Sequence, residues 1–242
     1  MKKRILLGIA LFLIVIEFFI FNIYDLKVCV LMYHSISDDI RGGEELFVSP
    51  KAFEKQMKYL NKKGFKTLFV EELDNKKITK KNIVITFDDG YEDFYTNVLP
   101  ILKKYNIKAN LYVVTDKIGK KNFLTAKQLK EISDSGLVSI GSHTVSHPEL
   151  SKLNKKTIEK ELVKSKQVLE NITKKEIKTI SYPNGNYDEN VIKIAKKHYE
   201  YGLIMNYKTQ IVAMLNNYKI NRIGIYKNTQ HDDFVEIINL AK

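Results

Sequence analysis

The chain has 242 residues, of which 44% are apolar, and it carries a formal net charge of +12 at pH 7. This length suits one large domain, and no linker rich in Pro, Gly or Ser divides it. The single cysteine, Cys29, excludes an intramolecular disulfide and a cysteine zinc cluster, so any metal must be held by histidine and carboxylate. The positive charge comes almost wholly from lysine, without an Arg-rich patch, and no nucleic-acid partner is predicted.

The N-terminus predicts a membrane anchor. Residues 1–4 are cationic, and residues 5–24 are apolar apart from Glu17 and one asparagine. As a helix, such a segment is roughly 30 Å long, which matches the hydrocarbon core of a bilayer. No small-residue cleavage site follows, so we expect an uncleaved single-pass anchor over residues 1–27 and an extracellular catalytic domain over residues 28–242. A buried core helix is the alternative interpretation.

Strands and helices alternate through the rest of the chain. Apolar runs predict strands at residues 27–34, 65–70, 83–87, 108–115, 137–140, 177–181, 201–205 and 219–223. Apolar periodicity and capping residues predict helices at residues 49–64, 91–105, 125–136, 154–171 and 190–197 and from Asp232 onward. Pro100 is expected to bend or interrupt the second of these helices. The alternation predicts an α/β fold with a parallel sheet that is closed or nearly closed into a barrel.

Polar side chains follow several of the predicted strands at the point where each strand ends. They are His34, Asp88, Asp89, His143, His147 and residues 181–185. In a parallel barrel the carboxyl ends of the strands meet at one rim, where working residues collect. We therefore expect all of these groups to lie on the same rim.

Asp88 and Asp89 are adjacent carboxylates, which repel one another unless a cation neutralises one of them or they have different tasks. His143 and His147 lie four residues apart, and the flanking Gly141 and a following proline favour a loop or a single turn. Two histidines and one aspartate are a frequent ligand set for a catalytic divalent ion. The pattern predicts one bound metal ion, with zinc favoured and cobalt or nickel as alternatives.

The two motifs together resemble a known family. Thr-Phe-Asp-Asp-Gly at residues 86–90, followed by His-Thr-x-x-His at residues 143–147, is similar to the polysaccharide deacetylases that share the NodB homology domain, carbohydrate esterase family four. The resemblance covers about residues 28–242 and implies a distorted (β/α) barrel of the NodB type. It also implies that Asp88 is the general base. The metal ligands implied by the resemblance are Asp89, His143 and His147.

The third motif of that family, Arg-x-Pro-Tyr followed by Gly, aligns with Ser-Tyr-Pro-Asn-Gly at residues 181–185. The resemblance implies that Tyr182 and Pro183 line the substrate site. It also implies that the backbone N–H of Asn184 donates to the oxyanion that forms on the substrate. Proline and glycine are both present, so the turn is expected to be kept.

Two residues that the family uses around its catalytic base and its leaving group are absent from this chain. The arginine that orients the base is replaced by Ser181, and we hypothesise that Arg222 takes its place; an arginine that merely ends a strand is the alternative. The family histidine that protonates the leaving amine is also missing. His34 is the leading candidate for that general acid and His231 a weaker one, while a packed histidine is the alternative for His34.

The Met-Tyr-His-Ser-Ile opening at residues 32–36, the altered third motif and the absence of tryptophan look like one branch of the family. Its members are membrane-associated and de-N-acetylate poly-β-1,6-N-acetylglucosamine in biofilm matrices. The resemblance thus implies a metal-dependent N-deacetylase of a cell-surface N-acetylglucosamine polymer. Peptidoglycan is the rival substrate, and a catalytically weak glycan-binding or assembly component is the rival class. No feature of the sequence indicates an oligomeric state.

Overall fold

A curved parallel sheet organises the computed structural model, which describes residues 27–39, 43–74, 78–206, 210–211 and 216–240. The described strands are β1 (Lys27–Tyr33), β2 (Ser35–Ile36), β3 (Phe47–Val48), β4 (Lys66–Leu68), β5 (Asn82–Phe87), β6 (Ala109–Val113), β7 (Val138–Ser142), β8 (Thr179–Ser181), β9 (Tyr201–Leu203), β10 (Gln210–Ile211) and β11 (Ile223–Gly224). The described α-helices are α1 (Pro50–Lys62), α2 (Leu99–Tyr105), α3 (Ala126–Asp134), α4 (Lys155–Thr173), α5 (Glu189–Ala195) and α6 (His231–Asn239).

The sheet runs from β1 through β5, β6, β7 and β8 to β9, and all of these neighbours pair in parallel. Residues 220–224 link the two outer strands of this order, β9 and β1. Ile220 forms a bridge with Leu203 of β9, and β11 then pairs with β1. The structure confirms the predicted α/β fold with a parallel sheet, which is curved into a half-barrel. It also gathers the carboxyl ends of the strands at one rim, as predicted.

Three of the predicted helix starts are confirmed by their caps. Ser49 Oγ accepts a hydrogen bond of 3.1 Å from the amide of Ala52, with Pro50 as the first residue of α1. Thr125 caps α3 and Asn154 caps α4 in the same way. Such caps satisfy amides that lack partners inside the helix and stabilise it by about 1 kcal/mol each.

Several predicted element ends are corrected by the structure. The strands predicted at residues 65–70, 177–181 and 201–205 are each three residues long, whereas β7 extends past its predicted end to Ser142. The helix predicted from Tyr91 begins as a π-helical turn at Phe94–Val98. Pro100 is the second residue of α2, where its missing N–H is tolerated, and the π-helical turn passes directly into α2 at this point.

The last predicted strand, residues 219–223, is wrong as a continuous strand. Ile220 pairs with β9, whereas Ile223 pairs with β1. Because the segment changes its neighbour between these two residues, neither ladder includes Arg222. Arg222 therefore lies at the seam of the half-barrel, immediately before β11.

An aromatic cluster fixes the end of β5. The ring of Phe87 lies 5.3 Å from Tyr33, 5.6 Å from Phe53 and 4.9 Å from Phe94, measured between ring centroids. All four side chains are fully buried or nearly so. Aromatic rings in such contacts bury large apolar areas with defined geometry. The cluster therefore fixes the backbone at the point where Asp88 begins.

The predicted membrane anchor, residues 5–24, lies outside the described residues. Within the ranges that the structure describes, no helix has the length and apolar character needed to cross a bilayer. The anchor and the boundary between residues 1–27 and 28–242 therefore stay predictions.

Candidate metal centre and active-site cavity

A cavity of about 440 Å³ opens at the carboxyl rim of the sheet. It collects most of the predicted site residues from distant parts of the chain. Those that line it are His34, Asp88, Asp89, His143, His147, Asn184 and Arg222. The predicted clustering on one rim is therefore observed.

The backbone after β5 turns sharply. Asp89 has a φ of +72°, and the amide of Gly90 donates to the carbonyl of Asp88 at 3.0 Å, which are features of a γ-turn. Gly90 has a φ of +83°, and a Cβ there would lie 3.1 Å from Val113 Cγ1. Any other residue at the third position of Asp-Asp-Gly would therefore be strained. Because of this turn, the carboxylates of Asp88 and Asp89 point in different directions and contact different residues.

Asp89 faces the two predicted histidine ligands. Its Oδ1 atom lies 3.7 Å from His143 Nε2 and 3.8 Å from His147 Nε2, and one ligand atom from each residue falls within 4.8 Å of the others. Two imidazoles and a carboxylate suit zinc or a similar divalent ion and leave coordination positions open. The donor set therefore fits the implied metal.

Hydrogen bonding prepares His143 for that role. Its Nδ1 atom lies 2.8 Å from the carbonyl oxygen of Ser181, so an N–H at Nδ1 leaves the Nε2 lone pair directed at Asp89 and His147. Burial lowers the pKa of His143, although the charges of Asp88 and Asp89 oppose this. The ring is therefore neutral at pH 7, which is the form that binds metals.

The loop that carries the histidines is irregular, as Gly141 and Pro148 predicted. Thr144 and His147 have φ values of +67° and +62°, in the left-handed region that residues other than glycine rarely adopt. Each such residue costs on the order of 1 kcal/mol. The loop therefore needs contacts from its surroundings to keep both imidazoles in place.

Arg222 binds Asp88 through a bidentate pair. Its Nη1 and Nη2 atoms each lie 2.8 Å from one oxygen of Asp88. The remaining N–H groups donate to Thr86 Oγ1 at 3.3 Å, Ser181 Oγ at 2.8 Å and the carbonyl of Ile204 at 3.2 Å. All five donors of the guanidinium group thus have acceptors. This accounts for a cation that is only 1% exposed.

The pair sets the protonation state of Asp88. Burial alone would raise the pKa of this carboxyl, but the guanidinium of Arg222, together with His143, holds the pKa well below its usual range. Asp88 is therefore ionised throughout the physiological pH range. Its Oδ2 atom also lies 3.7 Å from His143 Nε2, beside the candidate metal centre but already bound to Arg222.

Ser181 contacts three site residues, a role that the sequence pattern did not predict. Its hydroxyl accepts from Arg222 and donates to Asp88 Oδ2 at 3.1 Å, while its carbonyl contacts His143. The serine that replaces the family arginine thus joins the carboxylate, the new arginine and one histidine. Its position at the end of β8, on the rim, is the signal that could have identified it.

The remaining predicted residues divide into two groups. His34 directly follows β1. Asn184 is the second residue of the 3₁₀ turn at Pro183–Gly185, and the N–H at this position has no acceptor inside the turn. Both line the cavity. The expectation that Tyr182 and Pro183 also line it is wrong, because neither is among the residues that form the cavity wall. Tyr182 packs in the core 5.9 Å from the ring of Tyr187 and supports the turn from below.

His231 does not line the cavity. It is the first residue of α6, and its ring lies 5.5 Å from the ring of Tyr59. His34 is therefore the better placed of the two histidines that the sequence offered as a general acid.

Comparison with known proteins gives the same assignment. Residues 75–202, just over half of the chain, match the polysaccharide deacetylase family. A poly-β-1,6-N-acetyl-D-glucosamine N-deacetylase of Staphylococcus aureus is 36% identical over 213 residues, which cover 81% of this chain and 72% of that protein. The chain belongs to the polysaccharide deacetylase family.

Two further relatives define the extent of the similarity. YxkH of Bacillus subtilis (strain 168), assigned to the polysaccharide deacetylases, is 41% identical over 176 residues, which cover 71% of this chain but only 61% of that protein. The crystal structure of the Streptococcus pyogenes deacetylase PplD in complex with acetate superposes with a TM-score of 0.80. It is 31% identical and covers 88% of this chain and 98% of that one.

Replacing Arg222 by methionine tests the buried pair. The variant leaves Asp88 buried without its cation, and we expect the free energy of unfolding at pH 7 to fall by about 3–5 kcal/mol. In the parent, the depressed pKa contributes stability that is complete above the unfolded-state pKa of about 3.9 and is lost as the pH falls below it. In the variant, burial raises the pKa of Asp88, and the penalty is relieved on acidification. The difference in unfolding free energy between the parent and the variant should therefore be smaller at pH 4 than at pH 7.

Urea unfolding with a chelator present measures both effects. Lys219→Met, three residues earlier on the same segment, removes a partly exposed cation whose 3.5 Å pair with Glu189 is worth at most about 1 kcal/mol. A loss in R222M no larger than that of K219M, or one that does not depend on pH, would contradict the pair.

Proposed function

We propose that the chain is a metal-dependent N-deacetylase that hydrolyses the acetamide groups of a cell-surface N-acetylglucosamine polymer, with poly-β-1,6-N-acetylglucosamine as the favoured substrate. One observation carries the proposal: Asp89 faces His143 and His147, while its neighbour Asp88 is ionised and bound to Arg222. Amide hydrolysis needs an activated water and a base to take its proton, and the two carboxylates can divide these tasks.

A divalent ion held by Asp89, His143 and His147 would lower the pKa of a bound water and polarise the acetamide carbonyl. Asp88 accepts the proton of the attacking water, whose oxygen adds to the carbonyl carbon. The amide N–H of Asn184 donates to the oxyanion that forms. The C–N bond then breaks as His34 protonates the nitrogen, which leaves acetate and a free amine.

Arg222 has a positioning role in this scheme. A general base must be ionised and must face the proton that it accepts. The bidentate contact holds both oxygens of Asp88, and Ser181 adds a further hydrogen bond to Oδ2. Arg222 also lowers the basicity of Asp88. The carboxylate can therefore accept a proton only from a water whose own pKa has been lowered.

The substrate is inferred from the relatives and from the cavity. The Staphylococcus aureus relative carries poly-β-1,6-N-acetyl-D-glucosamine in its name, and acetate, which the Streptococcus pyogenes deacetylase structure contains, is the product of deacetylation. The cavity wall includes Leu46, Tyr226 and Asn228, which offer an apolar, an aromatic and an amide surface to a sugar ring. The predicted anchor at residues 5–24 would hold the domain outside the cell membrane, next to such a polymer.

Acetate release tests the proposed reaction. The purified 242-residue chain is incubated with β-1,6-linked and β-1,4-linked N-acetylglucosamine oligomers, with and without a chelator. We expect release from the β-1,6 series, its loss when the chelator removes the metal, and its recovery on addition of zinc.

Release from the β-1,4 series alone would favour peptidoglycan as the substrate. If metal binds but no glycan loses acetate, the deacetylase proposal fails and a glycan-binding role takes its place. Asp89→Asn is the matched inactive control, because it removes the ligand charge while keeping the side-chain size.

His34→Gln tests the proposed general acid. Glutamine cannot protonate the leaving amine, and we expect kcat to fall by about 100-fold or more. The metal affinity should be unchanged, because His34 is not among the three grouped ligands. His198→Gln is the control: His198 lies outside the cavity and pairs with Glu159 at 2.8 Å. Full activity of H34Q would remove His34 from the mechanism.

A further inference from the structure

Helix α4 contacts the loop that carries both candidate histidine ligands. Oε2 of Glu161 accepts from the amides of Val145 at 2.9 Å and Ser146 at 3.0 Å, and Oε1 accepts from the hydroxyl of Ser146 at 3.0 Å. One side chain therefore binds three donors on the loop between His143 and His147.

A second residue of α4 holds the start of the same loop. Ser165 lies one turn after Glu161, on the same side of the helix, and its hydroxyl is 2.7 Å from the hydroxyl of Ser142. Ser142 Oγ in turn accepts from the amide of Thr144 at 3.1 Å. The helix thus contacts the residue before the loop and two residues inside it.

The loop geometry explains why such contacts matter. Thr144 and His147 are both left-handed, and the amide of His147 donates to Thr144 Oγ1 at 3.0 Å. On the opposite side, the amides of Thr115 and Asp116 donate to the carbonyls of Thr144 and Val145. The amides of Val145 and Ser146 point the other way, and Glu161 supplies their acceptor.

We propose that Glu161 is a positioning residue for the metal centre. It holds the backbone of residues 144–147 in the strained form that directs both imidazoles toward Asp89. His143 is also fixed by Ser181, whereas His147 depends on the loop for its position. Loss of Glu161 should therefore act mainly through His147. This inference rests on the metal site of the proposed function, although Glu161 itself is not one of the grouped ligand residues.

Zinc affinity tests the inference directly. It is measured by competition with a chromogenic chelator, using the 242-residue chain and its variants without any glycan. Glu161→Ala removes all three hydrogen bonds, and we expect zinc to bind about 10-fold more weakly, as when partners of metal ligands are lost in other sites.

Glu161→Gln separates hydrogen bonding from charge. The amide oxygen of glutamine can still accept from both backbone amides, and its nitrogen can donate to the hydroxyl of Ser146. We therefore expect E161Q to bind zinc within about threefold of the parent chain, closer to it than E161A does. Equal losses in E161Q and E161A would assign the effect to the charge of Glu161 and overturn the inference.

Lys164→Gln is the matched control on the same helix, because this lysine is exposed and the change alters charge without touching the loop. Thermal unfolding of the metal-free variants shows whether each one folds. Unchanged zinc affinity in a folded E161A would also overturn the inference. If the parent chain itself bound no zinc, the proposed function would fail. This result differs from one in which the parent binds zinc and E161A binds it equally well, which would contradict only the role of Glu161.

Discussion

The buried contact between Arg222 and Asp88 is the constraint on which the rest of the site depends. A carboxylate and a guanidinium that are 3% and 1% exposed are stable only if their remaining hydrogen-bonding groups are satisfied. Thr86, Ser181 and the carbonyl of Ile204 meet that requirement. These acceptors come from three different segments of the half-barrel. The pair therefore forms only where the curved sheet and residues 220–224 bring these segments together.

That contact also resolves the repulsion between the neighbouring aspartates. The γ-turn at Asp89 directs one carboxylate into the half-barrel and the other toward the histidines. Asp88 is neutralised by Arg222, and Asp89 is left to face His143 and His147. This arrangement requires left-handed backbone conformations at Asp89, Thr144 and His147, which reduce the free energy of unfolding. Contacts from the residues that directly follow β6, and from Glu161 on α4, hold these turns in place.

Much of this could be predicted from the sequence. Apolar periodicity and caps located the helices and strands, and the ends of the strands placed His34, Asp88, Asp89, His143 and His147 on one rim. Two features depended on tertiary contacts that no local pattern encodes. Residues 219–223 exchange one strand neighbour for another, and Tyr182 turns into the core instead of the cavity. Ser181 was interpreted only as a lost arginine, because its contacts with Asp88, Arg222 and His143 come from residues distant in sequence.

The central claim is that only one of the two aspartates binds metal. A crystal structure of the chain with zinc, located by its anomalous scattering, tests it most directly. The claim predicts zinc at about 2.0–2.2 Å from an oxygen of Asp89 and the Nε2 atoms of His143 and His147, with both oxygens of Asp88 still on Arg222. Zinc bound to Asp88, or Arg222 turned away from it, would contradict the claim.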